Sequence, residues 1–219
     1  EKIDVDTSAS TKQKSQDGNY FDSFIGLDFF YDKRNQKYQT TSGFFSNYNV
    51  SMPILSDTNT LTNVYNYKIF KELYENNVST FSFSFQTASS LSGDDIKLSE
   101  RLYISGRKLR GFESGKIGPK DGSDYIGGNY VSTINASTTI PKILENVQNV
   151  DIVMFADAAN IWGVDYDSSL DKNGIRSSIG VGLDWLTPVG PLTFSLAQPI
   201  TKEPSDIEET FRFNIGTSF

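Results

Sequence analysis

The sequence predicts an all-β protein whose antiparallel strands line a transmembrane barrel. Three observations predict it. Apolar residues alternate with polar ones at period two through most of the chain, the signature of strands with two unlike faces. No run of 18 or more apolar residues occurs, which excludes a transmembrane helix but not barrel strands, in which every second residue is polar. Short and long connections alternate between the strands, as they do in outer-membrane barrels.

Nine segments carry the alternation. Phe21, Ile25, Leu27, Phe29 and Tyr31 share one face against Asp22, Gly26, Asp28 and Asp32. Phe44, Tyr48, Val50 and Met52 mark a second strand, and Leu61, Tyr65, Tyr67, Ile69 and Leu73 a third. Phe81, Phe83 and Phe85, separated by Ser82 and Ser84, make the fourth. Tyr130, Ile134, Ala136 and Ile140 stand opposite Asn129, Thr133, Asn135 and Ser137; Val150, Ile152, Met154, Ala156 and Ala158 stand opposite Asp151 and Asp157. Ile175, Ile179, Val181, Leu183 and Trp185 face away from Arg176, Ser178, Gly180, Gly182 and Asp184. Leu192, Phe194 and Leu196 follow, and Phe211, Phe213, Ile215 and Phe219 alternate with Arg212, Asn214 and Gly216. Each segment runs about 9–13 residues, close to the ~9–11 that cross a bilayer obliquely.

A soluble β-sandwich produces the same alternation, so the connections decide. Short ones at 33–37, 75–77, 142–148 and 187–190 alternate with longer ones at 55–60, 91–126, 163–174 and 201–208. The polar faces, rich in Ser, Thr, Asn, Gly, Asp and Arg, predict a wet lumen in place of a packed core. The loop 91–126 is too long for an idle connector.

Composition narrows function. Aromatics reach 13%, with 16 Phe and 11 Tyr, which suits strands and argues against a helical bundle. The net charge of −7 comes without a long basic run, so nucleic acid is not an expected partner. With neither Cys nor His, most transition-metal sites and the common nucleophile–base pairs are removed. Asp94-Asp95 and the aspartates from Asp165 to Asp171 read as solvated loop acids rather than a hydrolytic pair, and they lack the spacing of a calcium loop. No catalytic residue, metal or cofactor is expected. Opening at Glu1 with no initiator Met or signal segment, the N-terminus is expected to be a cut, with 1–18 a loop or the end of a preceding strand.

Within the long loop stands Leu109-Arg110-Gly111-Phe112, followed by Ile117-Gly118-Pro119 and Gly127-Gly128. Phe155-Ala156-Asp157-Ala158-Ala159-Asn160-Ile161-Trp162 and Gly182-Leu183-Asp184-Trp185-Leu186-Thr187-Pro188-Val189-Gly190-Pro191-Leu192 come later, and the chain ends in the aromatic Phe219. In this order they resemble the BamA-type superfamily of outer-membrane assembly and translocation barrels, with its [VL]RGF loop, F-x-D strand and G-x-x-W-x-[ST]-P-x-G-P-L hairpin. The IGP and GPL details lean toward the BamA assembly-factor branch, and the resemblance covers roughly residues 20 to 219.

The resemblance implies a bacterial outer-membrane location and a loop, 91–126, folded into the barrel. It implies that Arg110 pairs with Asp157, which lies on the polar parity of its strand. A guanidinium fork on a carboxylate contributes about 1.5–3 kcal/mol per charged hydrogen bond in a partly desolvated lumen. Gly111 suits a tight apex needing positive φ, and Phe112 is expected to pack in the lumen wall. Where the family often supplies a second carboxylate, the count from Gly128 gives Ser137, and Ala159 replaces the usual Gly after the aspartate. This chain would supply the C-terminal nine or so of about sixteen strands, with about seven more and periplasmic repeats expected upstream.

The implied function is folding and inserting other β-barrels through a seam between first and last strands. The last, Phe211, Phe213, Ile215, Gly216 and Phe219, is the seam-forming element. Gly216 reads equally as weakened pairing or as a simple fit to the wall. Implied partners are outer-membrane lipid, unfolded β-barrel clients and accessory lipoproteins. The alternative is a polypeptide-translocating pore of the same superfamily, of the two-partner secretion or autotransporter assembly type; a passive porin would need charged constriction residues without the RGF and F-x-D pairing.

Overall fold

The structure, a computed structural model, describes the chain except residues 8, 38, 141–148, 172, 189 and 217–219. Val189, the 142–148 connection and the terminal Phe219 therefore lie outside the described residues. Nine strands form one sheet: β1 (Phe24–Asp32), β2 (Gly43–Pro53), β3 (Thr60–Tyr74), β4 (Asn77–Ser90), β5 (Tyr130–Thr139), β6 (Val150–Trp162), β7 (Arg176–Thr187), β8 (Gly190–Thr201) and β9 (Phe211–Ile215). Every strand pairs antiparallel with its neighbour in sequence, so the sheet is a meander with β1 and β9 at its edges. Such a meander follows from hairpin connections, which need no crossover.

Alternating connections segregate to opposite ends. At one end lie 54–59, 91–129, 163–175 and 202–210, together with 1–23, where a short ladder (Lys2–Ile3 with Gly18–Asn19) flanks the one-turn helix Thr11–Lys14. At the other lie 33–42 and the tight turn at 75–76, where Asn76 takes φ +60°. The thirteen residues of β6 reach ~40 Å along the strand and about 30 Å after a tilt near 45°, the thickness of a hydrocarbon core.

Strand parity sorts the two faces as the alternation predicts. Met154, Ile179, Val181, Leu196, Phe211, Phe213 and Ile215 are exposed on one face, while Ser84, Thr133, Asp157, Ser178 and Ser195 are buried on the other. Rings cluster on the exposed face near the long-loop end, where Tyr130 stacks on Trp162 at 5.6 Å and Phe85 approaches the same indole at 6.4 Å. Amphipathic rings favour this interfacial position over mid-membrane.

The loop-covered face departs from the wet lumen expected of it. Toward the long-loop end, Val131, Ala159 and Ile161 point inward and pack with Ile104, Leu109, Phe112 and Ile117 of the loop in one buried cluster. The polar parity is interrupted there, as it is at Val153 and Phe155 of β6, which are buried on the same face as Asp157. At the end of the sheet the folded-in loop supplies apolar partners, and burying Phe112 alone contributes about 1.5–3 kcal/mol.

Candidate functional site

The loop between β4 and β5 is tied at its base by Leu102 and Gly128, which exchange backbone hydrogen bonds of 2.9 and 3.0 Å. From there it descends over the inner face. A single turn, with the Lys108 and Leu109 amides donating to the Ser105 carbonyl at 2.9 and 3.2 Å, buries Leu109 and delivers Arg110 to the strands. Gly111 takes φ +92°, and a Cβ there would stand 3.3 Å from those of Ala197 and Ser178. A side chain would be strained and crowded where the loop touches the wall.

Register places the receptor for Arg110. Asn135, Asp157 and Ser178 are cross-strand neighbours on β5, β6 and β7, three polar side chains in one row under the loop. Arg110 Nε and Nη2 each donate to Asp157 at 2.7 Å, and the Arg110 amide adds a third bond at 3.1 Å. Asn135 donates to Asp157 at 2.9 Å and to the Lys108 carbonyl at 2.7 Å, while Ser178 donates to the Arg110 carbonyl at 2.5 Å. Asp157 is 0% and Arg110 17% exposed at the side chain, and the guanidinium lies 3.4 Å from the centroid of the Phe155 ring. The carboxylate thus meets four donors and the cation a ring face, the arrangement that makes a desolvated fork stronger than a surface pair.

Ser137 lies two residues along β5 from Asn135, cross-strand from Phe155, and among the described residues its side chain bonds to neither Arg110 nor Asp157. Asn135 stands opposite the aspartate instead. It adds an amide donor where a second carboxylate would have added charge. Ala159 joins the apolar cluster, and so does Phe112. Lys108, beside Arg110, donates to Asn66 at 3.2 Å, and burial pushes its ammonium pKa below the ordinary lysine value.

Two further pairs carry no signal in the sequence pattern. Arg176 of β7 grips Asp206 of the 202–210 loop through Nε at 2.9 Å and Nη2 at 3.2 Å, both side chains 0% exposed. Asp206 also accepts from the Glu203 amide at 2.7 Å. Arg101 pairs with Asp165 near the loop base. Burial pushes Asp165 up, but the Ile96 amide and the Arg101 charge outweigh it and hold this carboxyl below its ordinary pKa.

At the sheet edge, β9 pairs with β8 from Leu196↔Phe211 to Leu192↔Ile215. Phe211, Phe213 and Ile215 face outward, with Phe213 packed on Phe194 at 4.8 Å. Gly216 takes φ +105° directly after the strand, its amide bonded to the Pro191 carbonyl at 2.9 Å.

The chain matches the Omp85 superfamily domain over residues 1–219. The chain belongs to the Omp85 superfamily. Among its relatives, the outer membrane protein assembly factor BamA of Neisseria meningitidis serogroup B is 31% identical over 57% of this chain and 19% of its own length. That of Nitratidesulfovibrio vulgaris is 27% identical over all of this chain and 28% of its own. The crystal structure of BamA from Haemophilus ducreyi lacking POTRA domains 1–3 superposes with a TM-score of 0.79 at 27% identity, covering 87% of this chain and 41% of that one. The chain thus spans less than half the length of these relatives. With these bacterial relatives and this barrel neighbour, it is part of a bacterial outer-membrane β-barrel.

Proposed function

We propose that this Omp85 barrel segment, within its complete protein, folds and inserts β-barrel proteins into the outer membrane. The inward loop, held by Arg110 on Asp157, closes the lumen and braces the wall; the edge at β9 forms the seam where an incoming strand is templated by edge pairing. Clients would be unfolded β-barrel chains, with outer-membrane lipid around the seam and accessory lipoproteins at the periplasmic side. Its role is that of a scaffold rather than an enzyme. The observation that carries the reading is the buried fork of Arg110 on Asp157, two bonds of 2.7 Å in a loop packed on the inner face of the sheet.

The test is Arg110→Ala in the full-length parent, reconstituted in liposomes with a porin client. Removing the cation leaves the buried Asp157 with only the position-110 amide and Asn135 as donors and no counter-ion, at a cost on the order of 3–5 kcal/mol. Loop protection from protease and client assembly are expected to fall together. Undiminished assembly with a protease-sensitive loop would refute the role.

A further inference from the structure

The five residues of β9 cover less than half of the twelve in β8. Among the described residues the ladder reaches the Ala197 amide, which donates to the Thr210 carbonyl at 2.9 Å, and goes no further toward Pro199. Strand geometry explains the stop. Backbone groups two residues apart point to the same edge, so position 199 also faces β9, and Pro199 has no N–H to offer.

The approach to the last strand finds another partner. Glu208 and Glu209 pair with Phe112 and Gly111 of the inward loop. The Glu113 amide donates to the Ile207 carbonyl at 2.9 Å, and the Ile207 amide to the Lys116 carbonyl at 3.1 Å. Arg212, the first inward side chain of β9, donates to the Phe112 carbonyl at 3.0 Å and pairs with Glu209. Gly106 makes room for that guanidinium, because a Cβ there would overlap Arg212 Cζ. The loop also rests on the proline, since a Cβ on Gly111 would stand 3.5 Å from Pro199 Cδ.

We infer that Pro199 divides the approach to the terminal strand between two partners. The sheet takes Thr210 onward and the inward loop takes Ile207 to Glu209. Pro199, Arg212 and Gly106 are positioning residues for the seam: through them the loop sets how much strand is offered there, about 17 Å over the five residues of β9. This rests on the assembly reading only in calling that edge the seam; the backbone coupling itself can be measured without any client.

The experiment follows amide hydrogen exchange in the full-length parent in lipid nanodiscs. Pro199→Ala supplies the missing donor and should draw Glu208 and Glu209 onto β8. The Glu113 amide should then exchange at least about tenfold faster while the new amide at position 199 becomes protected. Gly106→Ala displaces Arg212 from outside the strand and should also speed Glu113 exchange. Arg212→Lys should restore part of the protection that Arg212→Gln loses. Unchanged Glu113 protection in both Pro199→Ala and Gly106→Ala would overturn the inference, and the second variant decides if the first does not fold. Altered exchange with undiminished client assembly would uphold the coupling and count against the assembly role.

Discussion

Two buried arginine–carboxylate pairs hold loops against the same face of this sheet, in opposite senses. In Arg110–Asp157 the loop brings the cation and the strand receives it; in Arg176–Asp206 the strand brings the cation and the loop supplies the acid. The first keeps 17% exposure at its arginine, whereas the second has none on either partner. The Asp157 carboxylate also has Asn135 as donor, and its cation has the Phe155 ring. The second pair has supports of its own, the Glu203 amide on Asp206 at 2.7 Å and the Gly174 carbonyl on Arg176 at 2.6 Å. What separates the pairs is burial, and a fully buried charge loses most when its counter-ion is removed.

Breaking that contrast begins with Asp206→Asn. It removes the counter-ion of the Arg176 guanidinium in a dry site, while the Gly174 carbonyl still accepts from Nη1, and should cost on the order of 3–5 kcal/mol, read as a lower urea midpoint for the folded barrel. Replacing both partners with apolar residues of similar volume should recover much of the loss. An Asp206→Asn barrel as stable as the parent would show that the Asp206 charge does not hold the 202–210 loop. Next in size is Arg110→Lys, which keeps the charge but gives up the fork and the ring stacking, at about 1.5–3 kcal/mol. Loop protection from protease should weaken without being lost; full protection would mean that charge alone suffices.

The smallest effect is that of pH on the third pair, Arg101–Asp165. The Asp165 carboxyl is held below its ordinary value, so its contribution is complete above the unfolded carboxylate pKa, near 3.9, and is lost as pH falls through the lower folded value. The Ile96 amide, which donates to Asp165 at 2.7 Å, should titrate by NMR with a midpoint below that ordinary value. A midpoint at or above it would remove this pair from the restraints on the loop base.

Legibility follows how local each feature is. Strands such as β4 and β6 were readable because period two is written in a few consecutive residues, and Asp157 could be placed on the inner face by parity alone. The long loop announced itself by length. Asn135 and Ser137 share a parity, and choosing between them required the β5–β6 register, which a one-residue-in-two alternation does not carry. The apolar cluster was missed because Val131 and Ile161 interrupt a polar face only where a distant segment covers them.

By itself the sequence determined the strands, their faces and the alternation of turns with loops; the Arg110–Asp157 pair was implied by the family resemblance, with the parity of Asp157 in agreement. Only the tertiary structure decided which row receives the arginine, that Arg176 finds Asp206 thirty residues on, and that Glu208 and Glu209 join the loop and not the sheet. The physical reason is that alternation is a property of the chain at one point. Register and loop partners are set by contacts between points far apart, whose closure is governed by the whole fold.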